Sequence, residues 1–314
     1  MVVVDAHVHV YLKKHFPENM TEGVADQYAV ALSLKREDII KGPLMQDMFD
    51  GNPDKLIKEM NEAGIDKSVV FGVDFGKDSI PGLRLASDAD DWNKYVLDAL
   101  RKYPDRLVGL IAVDPRRKNA TEIIDRGLKE WGMKGIKIYP PTGFYPSDEV
   151  CTPLYKKAID YGVPVLSHTG PVAGPFYMKY THPVYIDEVA AKFPELKIIM
   201  AHAGWGVWLD AVISVLVTRP RVYTDISAWG QTFHHYDQAY LVHSLRRLVN
   251  VAPARVLFGS DWGLAKTALS QKDWVKWLKE YQVPDAMKAI GIRNFTPRER
   301  NDLLGENARK LLRI

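Results

Sequence analysis

Short apolar runs alternate with longer segments whose apolar positions recur at helical spacing, almost from one end of the chain to the other. The runs predict strands over 2–9, 68–73, 107–113, 135–139, 163–168, 196–202, 222–226 and 255–260. The periodic segments predict helices over 54–63, 91–102, 121–131, 153–161, 185–193, 207–217, 240–249 and 273–281, with a terminal helix over 297–312. Runs such as VVFGV and LKIIMA are apolar on both faces, as buried parallel strands are. Gly64, Gly132 and Gly162 sit where three of the helices should stop. Strict strand–helix alternation demands a parallel sheet, and eight such units close a (β/α)8 TIM barrel. The rival is an open doubly wound sheet, but no glycine-rich phosphate loop follows the first strand.

Three connections exceed what a barrel needs: residues 10–52, 169–184 and 227–239. All leave the C-terminal end of a strand, where long loops roof the pocket of such a barrel. The third is rich in rings, with Trp229, Phe233, His234, His235 and Tyr236. No linker, internal repeat or low-complexity tract divides the chain, so residues 1–314 are expected to form one barrel domain.

Composition narrows the possibilities. The chain is 46% apolar and 26% charged, with a net charge of +3. No basic run with interleaved aromatics appears, so a nucleic-acid partner is not expected. No apolar stretch is long enough to span a membrane. The first strand follows Met1 directly, with no positively charged start or apolar cleavable segment before it, so a leader is not expected. Cys151 is the only cysteine, which excludes an internal disulfide and fits a reducing cytoplasm. It follows Asp148-Glu149-Val150 at a predicted helix start, and a nucleophilic role there is the minor reading.

The candidate chemistry lies at strand ends. VVVDAHVHV ends on His7 and His9, VPVLSHTG on His168, KIIMAHAG on His202 and RVLFGSDWG on Asp261. The i, i+2 spacing of His7 and His9 puts both imidazoles on one face of a strand. Any one of these residues alone would read as a satisfied polar cap, and Asp261 as a turn former after Ser260. Together, at the end of a barrel that gathers its strand ends on one face, they read as a cation site. Lys137, in GIKIYPP, lies two residues before its strand end, where an inward ammonium would need a carboxylate partner or a role in the site. Tyr139 shares its face, nearer the pocket. Trp205 and Trp262 directly follow ligand-bearing strands and either wall the pocket or pack its rim. Arg84, after the second strand, is a candidate anchor for a substrate carboxylate, or else a solvated cation. His15, His182, His234, His235 and His243 lack strand-end placement. Of these, His182, His234 and His235 fall in roof loops within reach of a substrate.

This order of motifs resembles the amidohydrolase superfamily. The similar branch is the amidohydrolase-related family, with aminocarboxymuconate semialdehyde decarboxylase, γ-resorcylate decarboxylase and several lactone or amide hydrolases. The resemblance implies that His7, His9, His168 and Asp261 hold a divalent metal, with His202 beside it as an acid/base or polarising group. Zinc suits imidazoles with a carboxylate, and manganese occurs in related decarboxylases. Two-metal members bridge their ions with a carboxylated lysine at the end of the fourth strand. The position of Lys137 favours one metal and a cation near the substrate instead. The leading expectation is hydrolysis of an ester, lactone or amide of a small organic acid by a metal-activated water. Asp261 would take the proton and His202 would polarise the carbonyl. The alternative is non-oxidative decarboxylation of an aromatic or unsaturated acid, with Asp261 or His202 protonating carbon. A barrel that only binds a ligand is the third reading. The expected partner is a small carboxylate-type molecule. Family resemblance also implies homodimers through loop insertions, for which residues 10–52 are the candidate segment.

Overall fold

The strands are short and parallel: β1 (Val4–Val8), β2 (Lys67–Val70), β3 (Leu107–Gly109), β4 (Ile111–Ala112), β5 (Ile136–Ile138), β6 (Val165–Ser167), β7 (Ile198–Met200), β8 (Val222–Asp225) and β9 (Val256–Leu257). They belong to a computed structural model that describes residues 1–76, 80–263 and 269–314, apart from the side chains of residues 31, 231, 232, 235 and 236. β1, β2 and β3 pair in that order, as do β4 through β9. β3 and β4 are one strand interrupted at Leu110. The Leu110 N–H donates to the Val70 carbonyl at 3.1 Å, and the next N–H, of Ile111, donates to Gly135 at 2.9 Å. The strand thus passes the ladder from β2 to β5. The ring closes between the first and last strands. Ala6 N–H donates to Phe258 O at 2.9 Å, Asp261 N–H to His7 O at 2.9 Å, and His9 N–H to Trp262 O at 3.0 Å. The result is the eight-stranded barrel that the alternation predicts.

Helices follow the strands as expected. Pro53–Ala63 begins on the Asn52 cap, with proline at its first position, and stops at Gly64 in the left-handed conformation (φ 68°). Two helices contain a π turn: Arg126–Glu130 within the helix predicted over 121–131, and Asp302–Glu306 within the terminal helix. Each π turn holds a glycine pressed on the barrel. A Cβ on Gly127 would lie 2.7 Å from Ile111, and one on Gly305 would lie 2.0 Å from the Val2 carbonyl. Only glycine permits that approach. Most of the core lies in one large cluster spanning strands and helices. A second joins Val4, Val69, Leu110, Leu166, Ile199 and Leu257 to Ala308, Leu311 and Leu312 of the terminal helix.

Two of the three long connections are more ordered than the sequence reading expects. Residues 10–52 fold into a 3-10 turn (Lys13–His15) and helices Glu18–Leu32, Arg36–Lys41 and Pro43–Met48. Their own small core is Ala25, Ile39, Met45 and Met48. Helix Glu18–Leu32 touches the pocket on one side and this core on another, so it lacks the single apolar stripe that marks a surface helix. Trp229–Tyr236, within 227–239, is also helical. The connection 169–184 stays irregular except for the 3-10 turn Met178–Thr181. Among the described residues no helix is long and apolar enough to cross a membrane.

Candidate metal centre

His7 projects from β1 itself, whereas His9, His168, His202 and Asp261 project from the irregular backbone just beyond their strands. His202 and Asp261 both adopt left-handed backbone, with φ of 61° and 60°. Ala203 and Trp205 share that region. Non-glycine residues held there store strain that the surroundings must enforce, a feature that concentrates at functional sites. Hydrogen bonds enforce it here: His202 N–H donates to Asp225 Oδ1 at 2.9 Å, and Trp229 Nε1–H to the His202 carbonyl at 2.7 Å.

Three of the predicted ligands converge. One donor atom from each of His7, His9 and Asp261 lies within 4.8 Å of the others. Asp261 Oδ1 stands 3.5 Å from His7 Nε2 and 3.6 Å from His9 Nε2. The far side of each imidazole fixes its tautomer. His9 Nδ1–H donates to the Phe71 carbonyl at 3.1 Å, and His7 Nδ1–H to Asp225 Oδ2 at 2.9 Å. Both Nε2 atoms therefore present lone pairs toward Asp261. Burial, with the Lys137 charge nearby, pushes the pKa of both rings well below the usual histidine value, which keeps them neutral. Burial and the neighbouring Asp225 carboxylate push Asp261 up to about 7, despite the opposing pull of Lys137.

A cation fits this arrangement. His7 Nε2 and Asp261 Oδ1 are buried without a hydrogen-bond partner. Buried polar atoms seldom go unsatisfied, and two electron-pair donors facing each other suit a divalent cation held between them. Neutral imidazoles and a carboxylate are the donor set of zinc, and manganese accepts them too.

His168 stands beside this set rather than within it. Its Nδ1 is 3.2 Å from His202 Nε2, and its Nε2 is 3.4 Å from the Pro171 carbonyl. Burial pushes His168 down to about 3 and His202 well below its usual value. A cavity of about 460 Å³ opens over the site, and His9, His168, His202 and Asp261 line it together with Lys137, Tyr139 and Trp205. The upper wall is apolar: Phe16, Met20, Val24 and Met48 come from the 10–52 segment, facing Val73 and Phe75. Phe75 stacks on Phe176 at 5.2 Å and meets Tyr139 edge-on at 5.6 Å. Lys137 is 2% exposed, lies 5.1 Å over the Phe71 ring, and has its pKa lowered to about 8 by burial against the pull of Asp225 and Asp261.

Several expected site residues lie elsewhere. Arg84 is half exposed and pairs with Glu18 and Glu22 of the roof helix, so it clamps the roof instead of facing the cavity. Trp262 is fully buried and donates its Nε1–H to Glu59 at 2.6 Å, so it packs the rim outside the cavity wall. His15 is buried, stacked on Trp92 at 5.1 Å. His182 accepts from Val184 N–H and packs on Trp208. His234 meets Trp277 edge-on, and His243 lines a separate groove with Asp210 and Arg247. The side chain of His235 lies outside the described residues. Cys151 is buried and its thiol is pushed up to about 12, which removes the nucleophile reading.

Two carboxylates escape the sequence reading. Asp225, at the end of β8, binds His7, the His202 N–H and Ser227. Asp5 lies two residues before His7 and accepts from Ser260 N–H at 2.9 Å and Gln271 Nε2–H at 2.9 Å, tying both ends of the ring together. Its burial raises its pKa to about 6. The signal for Asp225 was present: RVYTDIS ends a strand on a carboxylate as RVLFGSD does.

A parallel barrel with imidazoles and a carboxylate gathered beyond its strand ends defines a class of barrel enzymes that work through a bound divalent cation. Residues 4–314 match the amidohydrolase family (Amidohydro_2), and the chain belongs to that family. No curated protein matches the chain. Among solved structures it is similar to an uncharacterised TIM-barrel protein from Bordetella bronchiseptica, at 23% identity and a TM-score of 0.69, over 100% of this chain and 99% of that one. It is similar to a 5-carboxyvanillate decarboxylase from Novosphingobium aromaticivorans with bound manganese and 3-methoxy-4-hydroxy-5-nitrobenzoic acid, at 17% identity and a TM-score of 0.66, over 100% and 97%. A probable 2-pyrone-4,6-dicarboxylic acid hydrolase from Acinetobacter baumannii, with citric acid bound, gives 17% identity and a TM-score of 0.61 over 100% of both chains. The fold neighbours thus include both decarboxylases and hydrolases.

Proposed function

We propose that this enzyme removes carbon dioxide, without oxidation, from an aromatic or unsaturated monocarboxylic acid, using one divalent cation held by His7, His9 and Asp261 with His168 completing the set. The observation that carries this reading is the division of the cavity into a charged floor and an apolar, ring-lined wall. Among the described lining residues Lys137 is the one cationic side chain.

Charge bookkeeping separates the two reactions. A carboxylate brought into this chamber is destabilised by its apolar wall. Decarboxylation relieves that cost, because carbon dioxide leaves uncharged. Hydrolysis adds a carboxylate to a chamber with a single lysine to match it. The bound cation would supply positive charge to the substrate's oxygen atoms. Lys137 adds to the field that seats the carboxylate. Phe75 and Tyr139, backed by Phe176, hold the unsaturated body and exclude water. Asp261 gives its proton to the substrate carbon. The bond to the carboxyl group then breaks, its electron pair restores the unsaturated system, and Asp261 regains a proton from solvent.

Hydrolysis of an ester, lactone or amide, the leading expectation from sequence, is the second reading. The likeness to the probable dicarboxylic acid hydrolase favours it. In that reading Asp261 accepts the proton of the attacking water. A panel of hydroxybenzoates and small lactones, assayed with zinc- and with manganese-loaded protein, tests the choice. Carbon dioxide release from a hydroxybenzoate is the expected result. Acid production from a lactone with no carbon dioxide from any acid overturns it.

A further inference from the structure

We propose that the acid carries an apolar arm, of butyl to phenyl size, on the side of its ring away from the carboxylate. The arm lies against Met20 and Val24 of the roof helix and Val172 of the connection after β6. The inference rests on the reading above, in which the carboxylate lies at the charged floor, and it names the class of substrate that the rest of the chamber fits.

Size comes first. A water molecule takes up roughly 30 Å³ in the liquid. The 460 Å³ cavity therefore has room for about fifteen atoms of that size, whereas a bare hydroxybenzoate has about ten non-hydrogen atoms. Ligand sites ordinarily bury most of their ligand's surface. A single-ring acid seated at the floor would leave the upper part of this chamber as water against apolar side chains.

The chemistry of that upper part is uniform. Met20 and Val24 come from the helix, and Pro171, Val172 and Ala173 from the connection after β6; all five are half-buried. Apolar surface left open in one patch marks a place where something apolar binds. Among the described lining residues the charged and imidazole side chains are His9, Lys137, His168, His202 and Asp261, which belong to the barrel strands and the backbone just beyond them. The roof helix adds only Gln27, which is exposed, and the hydroxyl of Tyr28. A second carboxylate in the upper chamber would meet no cation among the described lining residues, and its desolvation would go uncompensated. An apolar arm gains affinity there, by about threefold for each methylene it buries.

The wall is built before any ligand arrives. The Phe75 ring stands 6.3 Å from Phe16 and 5.6 Å from Tyr139, so one line of rings runs from floor to roof. Met48 is buried in the small core of the 10–52 segment, and Val24 and Tyr28 pack against that core. A Cβ on Gly23 would come within 3.1 Å of the Gly174 carbonyl oxygen, so the roof helix abuts the connection at the residue beside Val24. Side chains already held in place cost little to order when the arm arrives.

Isothermal titration of the manganese-loaded protein with benzoate and its 4-methyl, 4-propyl and 4-butyl derivatives tests the arm without turnover. Affinity should rise about threefold per methylene up to butyl. Terephthalate, which puts a second carboxylate in the same place, should bind more weakly than 4-methylbenzoate. In Met20→Gln, which keeps the volume of the wall but not its apolarity, the gain per methylene should shrink. A flat or falling series in the wild-type protein, or terephthalate binding more tightly than 4-methylbenzoate, overturns the inference. An unchanged gain in folded Met20→Gln overturns the placement of the arm. Turnover separates the arm from the reaction. Carbon dioxide from neither 2-hydroxybenzoate nor 4-butyl-2-hydroxybenzoate, with the rising series intact, removes the decarboxylase reading and supports the arm site all the same. Failure of every acid in the series to bind overturns both.

Discussion

Nε2 of His7 and Oδ1 of Asp261 face each other across 3.5 Å, both buried and both without a hydrogen-bond partner. The two residues come from opposite ends of the sequence and meet only because β9 closes on β1. A divalent cation between them satisfies both atoms at once. Binding to the folded state alone stabilises it by mass action, about 2.7 kcal/mol at a hundredfold excess over Kd. For a chain of this length that corresponds to roughly 4 °C in Tm. Calorimetry of chelator-treated protein, with zinc or manganese then added back, should show that rise. It should vanish in His7→Ala and Asp261→Ala. A wild-type Tm indifferent to either ion counts against the site.

Much of this arrangement is legible in the sequence because strand ends are marked twice, once by the β-forming run and once by the residue that breaks it. His7, His9, His168, His202 and Asp261 carry both marks; four of them line one cavity, and His7 meets His9 and Asp261 beneath it. Asp225 carries both marks as well, but an acid after a strand is also ordinary turn chemistry, so its contact with His7 had no separate signal. Arg84 and Trp262 show a different limit. Charge and ring identity do not reveal a partner, and each found one away from the cavity, in Glu18 and Glu22 or in Glu59. Helix Glu18–Leu32 was missed because its burial is shared between two surfaces.

His15 should govern part of the acid stability. Burial lowers its pKa to about 4 even though Asp91 opposes the shift. Its Nδ1 accepts from Leu12 N–H at 3.1 Å, so the neutral ring is the form the fold requires. The folded pKa lies below the unfolded value of roughly 6.5. The contribution is therefore fully present above 6.5 and is lost as pH falls from there toward 4. Its size is on the order of 2 kcal/mol. Denaturant titrations of His15→Gln across that window should give a flatter acid limb than wild type. Identical limbs would assign the loss to other groups.

Arg84 should matter little to carboxylate binding. Its guanidinium is half exposed and its two partners are on the roof helix. Exposed pairs of this kind contribute little to stability. Arg84→Ala is expected to change urea unfolding only slightly and to keep its metal. Its KM for a substrate acid should rise far less than that of a Lys137 variant. A larger rise in the Arg84 variant would return that residue to the site.

Lys137 gives the sharpest pH signature. Its ammonium sits at the middle of β5, with burial pushing its pKa down to about 8 while Asp225 and Asp261 hold it from falling further. The charged form dominates below that value and attracts a substrate carboxylate. As pH rises through about 8 the charge is lost, so KM should climb on the alkaline side while the metal stays bound. Lys137→Met removes the charge at every pH. It should raise KM about tenfold, equivalent to roughly 1.4 kcal/mol, and abolish the alkaline limb. Lys137→Arg keeps its charge across the range and should also abolish the limb, without the same loss of affinity if the fork fits. Stability should fall too. Removing one member of a buried charge cluster leaves the Asp225 and Asp261 carboxyls without that compensation, so the methionine variant should melt below wild type. Steady-state kinetics across the alkaline range, with metal content measured at each pH, decides the matter. A limb that survives unchanged in Lys137→Met belongs to another group, and the seating of the substrate carboxylate would then have to come from the cation alone.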